Sequence, residues 1–214
     1  MSLRTSILGA SYLRLIETHL LPYIVKRGIT ANQVTLWGAA LAVLVPVAFW
    51  FKPSLGLLLI ILSGIADSLD GLVARKMNQV SELGTFIDSS LDRVSDFFYL
   101  LGIWSMFWRI PGRGLSTLVL MVALLLTVLI SYTKARAEGL GIQCRVGFMD
   151  RGLRVVYLIV WCGFIVFVPL QIQITLWAGL ILYCGLTFFT VLQRIFHVRD
   201  QCRKTDSASL TERE

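Results

Sequence analysis

Histidine and cysteine are too scarce in this chain to build the sites they usually build. The two histidines, His19 and His197, stand far apart, and Cys144, Cys162, Cys184 and Cys202 show no paired metal-ligand spacing. Paired metal-ligand patterns are thereby excluded, and the thiols read as inert side chains. Charge is scarce as well, with Asp, Glu, Lys and Arg making up 15% of the residues, against roughly 25% in soluble domains. Neither an internal repeat nor a Pro-, Gly- or Ser-rich linker divides the chain, so it reads as one domain. Near the start there is no apolar run long enough for a signal-peptide core.

Apolar residues take up the space. Of 214 residues 56% are hydrophobic, and the mean hydropathy is +0.74. Apolar stretches run over about 34–51, 55–74, 86–107, 115–135, 153–170 and 174–195. Each is close to the roughly 20 residues a helix needs to cross a bilayer. The pattern predicts an all-α integral membrane protein with six transmembrane helices and both termini on one side. Seventeen of the twenty Lys and Arg fall on that side, and only Lys52, Arg109 and Arg113 on the other. By the positive-inside rule the termini face the cytoplasm. The net charge of +7 then serves topology, anionic lipid headgroups and phosphate ligands, and no motif for nucleic acid accompanies it.

Ahead of the spans, residues 1–30 mix Leu3, Ile7, Leu8, Leu15, Ile16, Leu20 and Leu21 with Arg4, Arg14, Glu17 and His19. This composition predicts an interfacial amphipathic helix on the cytoplasmic leaflet. The six-helix membrane domain covers 31–199, and 200–214 is a polar C-terminal tail of disorder-prone composition. Gly38, Ala39 and Ala40 in the first span, with Gly64 and Ala66 in the second, are small enough for helix backbones to approach closely.

Asp67 and Asp70 close one long apolar run, and Asp88 and Asp92 open the next. An ionised side chain costs about 2.5–3.5 kcal/mol at the centre of a spanning helix, so acids kept near that depth serve function and need a partner. Their i,i+3 and i,i+4 spacings put each pair on one helix face. Hard carboxylate oxygens without His or Cys among them favour Mg²⁺ or Mn²⁺ over zinc. Two such ions, about 3.5–4 Å apart, would share the carboxylates and stabilise the attacking and leaving oxygens of a phosphoryl displacement. Gly71, Ala74 and Gly84 leave room for a bulky ligand against the backbone, and Arg75 is suited to neutralise a diphosphate. Asp96 continues the i,i+4 series and ranks below the other four, as a supporting or ion-paired group.

The run Asp67, Asp70, Gly71, Ala74, Arg75, Gly84, Asp88 and Asp92 resembles the full signature of the CDP-alcohol phosphotransferase (CDP-alcohol phosphatidyltransferase) family, D-x2-D-G-x2-A-R-x8-G-x3-D-x3-D. The resemblance extends along the whole chain, because that family's core is six helices preceded by an interfacial helix. It implies attack of an acceptor hydroxyl on a phosphorus of a CDP-linked donor, with release of CMP. Residue by residue, it implies that Asp67, Asp70 and Asp88 coordinate the metals and that Asp92, metal-associated, is the general base. It implies a cytidine diphosphate pocket lined by Asp67, Gly71, Ala74, Arg75 and Gly84. Asn32 and Thr35 would add nucleotide contacts, although Ala31 stands where members often carry proline. The family also implies a homodimer.

The acceptor must be read elsewhere. Ser131, Lys134 and Arg136 end the fourth span, Arg151 and Arg154 open the fifth, and Arg194 ends the sixth. Convergence of these groups beside the acids favours a pocket for a dianionic phosphate. The stretch 131–138 resembles the matching segment of prokaryotic phosphatidylinositol-phosphate synthases, which use CDP-diacylglycerol and inositol phosphate. In that subgroup a serine, a lysine and later arginines hold the acceptor phosphate, and Ser131, Lys134, Arg154 and Arg194 match best, with Arg151 a competitor to Arg154. The resemblance implies the prokaryotic inner (cytoplasmic) membrane. Glycerol 3-phosphate, the acceptor of a phosphatidylglycerophosphate synthase, is the alternative within the same chemistry. A divalent-cation transporter with intramembrane acids is the alternative of another class, and an inactive lipid-organising relative is a further one.

Overall fold

Among the residues it describes, 7–168 and 171–211, the computed structural model is helical and contains no strand. The elements are α1 (Ile7–His19), α2 (Leu21–Lys26), α3 (Ala31–Phe51), α4 (Pro53–Lys76), α5 (Glu82–Phe107), α6 (Arg113–Gly139), α7 (Arg151–Phe167) and α8 (Ile172–Thr211). Each expected apolar stretch has its helix. Four helices are long and apolar enough to cross a membrane: α3, α4, α6 and Ile172–Arg203 of α8. The first half of α5 carries Asp88, Asp92, Arg93 and Asp96, and α7 has 17 residues.

The N-terminal segment departs from the single helix expected of it. Pro22, which lacks an N–H, interrupts the hydrogen-bond ladder and starts a second helix, α2, while Leu20 between them keeps right-handed helical angles. Ile16 and Leu21 are buried in a small cluster with Val34, Leu69 and Val73, which docks α1 and α2 onto the base of α3 and α4. Leu3 and Arg4 lie outside the described residues, as do the last two positions of the 153–170 stretch. The polar tail differs too: α8 stays helical through Thr211. Residues 200–211 contain neither Gly nor Pro, and a helix already nucleated in an anchored span lengthens at little cost.

Caps and close contacts set the helices around the acids. Thr30 and Gln33 form a capping box at the start of α3, Ser81 accepts from Gly84 N at the start of α5, and Asp150 accepts from Leu153 N at the start of α7. Gln79, between α4 and α5, accepts from Ala31 N at 3.2 Å and so adds a second cap to α3. A side chain's Cβ at Gly38 would stand 3.0 Å from Ala66 Cβ, so these two residues mark the crossing of α3 and α4. At the same level Ser63 Oγ donates to Gly38 O at 2.7 Å, and Tyr99 OH donates to Ser63 Oγ at 2.6 Å. Three helices are thus joined by a buried chain of hydrogen bonds one turn below Asp67. The large apolar core continues from there through α5, α6, α7 and α8.

Candidate active site

The C-terminal half of α4 carries Asp67 and Asp70, and the first half of α5 carries Asp88 and Asp92. One carboxylate oxygen from each of Asp67, Asp70 and Asp88 lies within 4.8 Å of the others. That clustering of hard oxygens is what a divalent cation requires. Thr35 Oγ1 donates to Asp70 Oδ2 at 2.7 Å, which orients this buried carboxylate from α3. Asp88 Oδ1 is buried and has no hydrogen-bond partner among the described residues. A buried, unpartnered oxygen on a carboxylate of this cluster is what a divalent-cation site leaves in the protein, so the residues fit such an ion.

Arg151, at the first turn of α7, pairs with Asp67 and with Asp92. Its Nε is buried without a partner among the described residues, so its donor capacity exceeds what the two aspartates take up. A narrow cleft lies between these groups, lined by Thr35, Asp67, Asp70, Asp92, Ser95 and Arg151 among others. Gly71 has open space on the side where a Cβ would stand. At Gly84 a Cβ would meet Ser81 Oγ at 3.0 Å and Asn32 Oδ1 at 3.5 Å, so Asn32, Gly84 and the α5 cap form one corner. Ala74 is half-buried and Arg75 is exposed on the last turn of α4. Beside the site, Tyr12 OH of α1 donates to Ser68 Oγ at 3.4 Å.

The cations of the later helices occupy different places. Lys134 and Arg136 stand exposed on the last turns of α6, with Lys134 3.7 Å from Glu138, and Ser131 is half-buried. Arg154 is engaged by Asp96 Oδ2 at 2.8 Å and by Met149 O at 3.3 Å. Arg194 donates through Nη1 to Ile130 O and through Nε to Val146 O at 3.1 Å. Arg194 is one of four α8 residues that fasten the 140–150 connection. Thr190 Oγ1 accepts from Met149 N at 3.0 Å, Gln193 Oε1 accepts from Phe148 N at 3.2 Å, and His197 Nε2 lies 3.2 Å from Gln143 O. Gly147, with φ +117°, lets this segment pass over Arg194, where a Cβ would come within 2.9 Å of Nε.

The aspartates, Thr35 and Arg151 are therefore brought together, while Lys134 and Arg136 line the outer surface. Sequence reasoning did not find Gln79, Ser63, Tyr99, Thr190 or Gln193. Ser81, three residues before Gly84, carried a capping signal that marks the start of α5.

Residues 28–197 match the family described as CDP-alcohol phosphatidyltransferase. The chain is 34% identical over 145 residues to the archaetidylinositol phosphate synthase of Methanothermobacter thermautotrophicus, covering 67% of this chain and 69% of that one. It is similar to the Mycobacterium tuberculosis phosphatidylinositol phosphate synthase solved with CDP-DAG bound. That match has 26% identity and a TM-score of 0.73, and covers 86% of this chain and 93% of the other. The same mycobacterial enzyme in complex with manganese and citrate superimposes with a TM-score of 0.72 at 26% identity, over 84% of this chain and 87% of that one.

Proposed function

The chain belongs to the CDP-alcohol phosphatidyltransferase family, and from that premise we propose that it transfers a phosphatidyl group from CDP-diacylglycerol to a hydroxyl of inositol phosphate, releasing CMP. It is a transferase enzyme of phospholipid synthesis. The observation that carries the reading is the convergence of Asp67, Asp70 and Asp88 from two helices beside the open space at Gly71. The names of the similar proteins support the acceptor, since an archaetidylinositol phosphate synthase and a phosphatidylinositol phosphate synthase share the inositol phosphate part and differ in the lipid.

In this reading Asp67, Asp70 and Asp88 hold the divalent cations, Mg²⁺ or Mn²⁺ and two in number, with Asp92 at their edge. Bound there, the ions supply charge neutralisation along the diphosphate, easing the departure of CMP. Asn32, Gly71, Ala74, Arg75 and Gly84 border the cytidine diphosphate, with Thr35 at the inner edge, where its hydroxyl already steadies Asp70. Asp92 accepts the proton of the acceptor hydroxyl as its oxygen forms a bond to the donor phosphorus and the bond from that phosphorus to CMP breaks. Arg151, beside both Asp67 and Asp92, meets the acceptor phosphate, with Ser131, Lys134, Arg154 and Arg194 behind it or around the entrance. The chain crosses the membrane six times as a homodimer. Its N-terminal helices lie on the cytoplasmic leaflet, and the site opens to the cytoplasm of a prokaryotic inner membrane. The Lys and Arg bias supports this orientation.

The test is CMP release by purified protein given CDP-diacylglycerol and Mn²⁺ or Mg²⁺, with inositol phosphate, glycerol 3-phosphate, free inositol and serine as separate acceptors. Turnover with inositol phosphate well above the others is expected; selective use of glycerol 3-phosphate, or metal flux without CMP, would overturn the assignment. Two variants divide the site. Gly84→Ala should raise the KM for the CDP-lipid and leave that for inositol phosphate nearly unchanged, because the added methyl presses on Ser81 and Asn32. Arg151→Gln should do the reverse. Loss of one charge-assisted contact, worth roughly 1.5–3 kcal/mol, corresponds to a rise of about tenfold or more in the acceptor KM.

A further inference from the structure

Asp96 lies outside the eight-residue pattern, one helical turn beyond Asp92, and its partner Arg154 lies one turn beyond Arg151. α5 and α7 therefore face each other across two rungs: Arg151 with Asp92 and Asp67, and Arg154 with Asp96. The rungs differ in access. Arg151 borders the cleft, whereas Arg154 and Asp96 are 2% and 4% exposed and meet at 2.8 Å. Arg154 Nη1 also holds Met149 O, the carbonyl just ahead of the Asp150 cap of α7. Toward α8, α7 is held at its other end, where Tyr157 OH donates to Gly179 O at 2.6 Å and Trp161 Nε1 donates to Thr175 O at 2.9 Å, so the Arg154–Asp96 pair is what fixes its site end against α5. One pair restrains a distance; two pairs a turn apart on the same two helices restrain rotation and translation together.

We propose that Asp96 is a positioning residue. Through Arg154 it sets the register of α7 so that Arg151 faces Asp67 and Asp92, and it thereby governs recognition of the acceptor phosphate. This rests on the reading of Arg151 as the cation that meets that phosphate. A buried ion pair contributes little net stability compared with apolar residues of the same shape, whereas a unique register is something such pairs can specify.

The experiment compares D96N, D96E and L158A, the last removing buried packing from the same helix. Its readouts are the KM of each substrate, Mn²⁺ binding, Tm, and hydrogen–deuterium exchange over 142–157. D96N should raise the acceptor KM about tenfold or more, the scale of one charge-assisted contact. It should also speed exchange over 142–157 and leave the donor KM and Mn²⁺ binding nearly unchanged. D96E, which keeps the charge, should recover most of the acceptor KM, and L158A should lower Tm without separating the two KM values. If D96N does not accumulate, D96N/R154Q, which leaves no lone buried charge, should give the same separation. The proposal is overturned if L158A reproduces the separation at an equal loss of Tm, or if the Asp96 variants alter stability alone. Failure of the unmodified protein to use inositol phosphate removes the functional reading instead, and exchange over 142–157 then still decides whether Asp96 sets the register of α7.

Discussion

Asp70→Asn should abolish nearly all CMP release while leaving a folded membrane protein. The amide keeps the shape of the carboxylate, and its oxygen can still accept from Thr35, so α3 and α4 stay joined. What it loses is the charge a hard cation needs. The loss should exceed the roughly 10–100-fold that follows removal of a hydrogen bond behind a metal ligand. Thr35→Val supplies that milder comparison in the same protein. Asp67→Asn and Asp88→Asn should fall with Asp70→Asn, and each should weaken Mn²⁺ binding measured directly by paramagnetic resonance. Asp88→Asn is the sharpest of the three, because Asp88 Oδ1 has no partner among the described residues to account for its burial. Retention of Mn²⁺ binding and turnover in all three variants would refute the metal site.

Asp92→Asn should have the second-largest effect, through a different quantity. A general base acts in the transition state and typically contributes about 10²–10⁴-fold. Turnover at saturation should drop on that scale while equilibrium binding of the CDP-lipid holds. Asp92 also faces Arg151, so its neutralisation leaves that cation paired with Asp67 alone. Acceptor KM should therefore stay level or improve as turnover collapses, a combination the metal-ligand variants do not share. Collapse of donor affinity with turnover preserved would make Asp92 a binding residue instead.

The two predictions draw on the part of the site that was legible in the sequence, and the reason is local. Asp67 and Asp70 sit three apart on one helix, and Asp88 and Asp92 four apart on the next, so helical periodicity alone fixes their faces. The connection between the helices is short, tied to the start of α3 by Gln79 and capping α5 through Ser81, which leaves the two acidic faces little freedom but to meet. The acceptor side depends on contacts far apart in the chain. Arg151 is 84 residues from Asp67, and Arg154 is 58 from Asp96. Nothing in the spacing of one helix assigns a cation to a carboxylate on another, so the sequence left the choice between Arg151 and Arg154 open. The break before α2 is a different case. Pro22 signalled it, but the amphipathic run across it suggested continuity.

The fastening of the 140–150 connection to α8 bears on how this protein can change over evolution. The holding side chains, Thr190, Gln193, Arg194 and His197, stand at i, i+3, i+4 and i+7 along one face of a single helix. Inserting or deleting one residue among them would turn the remainder by about 100° around the helix axis and detach the segment that delivers Arg151. Substitutions can be absorbed one contact at a time, but changes of length cannot. Homologous chains that keep this acceptor arrangement should therefore align without gaps across 143–151 and 190–197, and length variation should collect where α8 leaves the membrane.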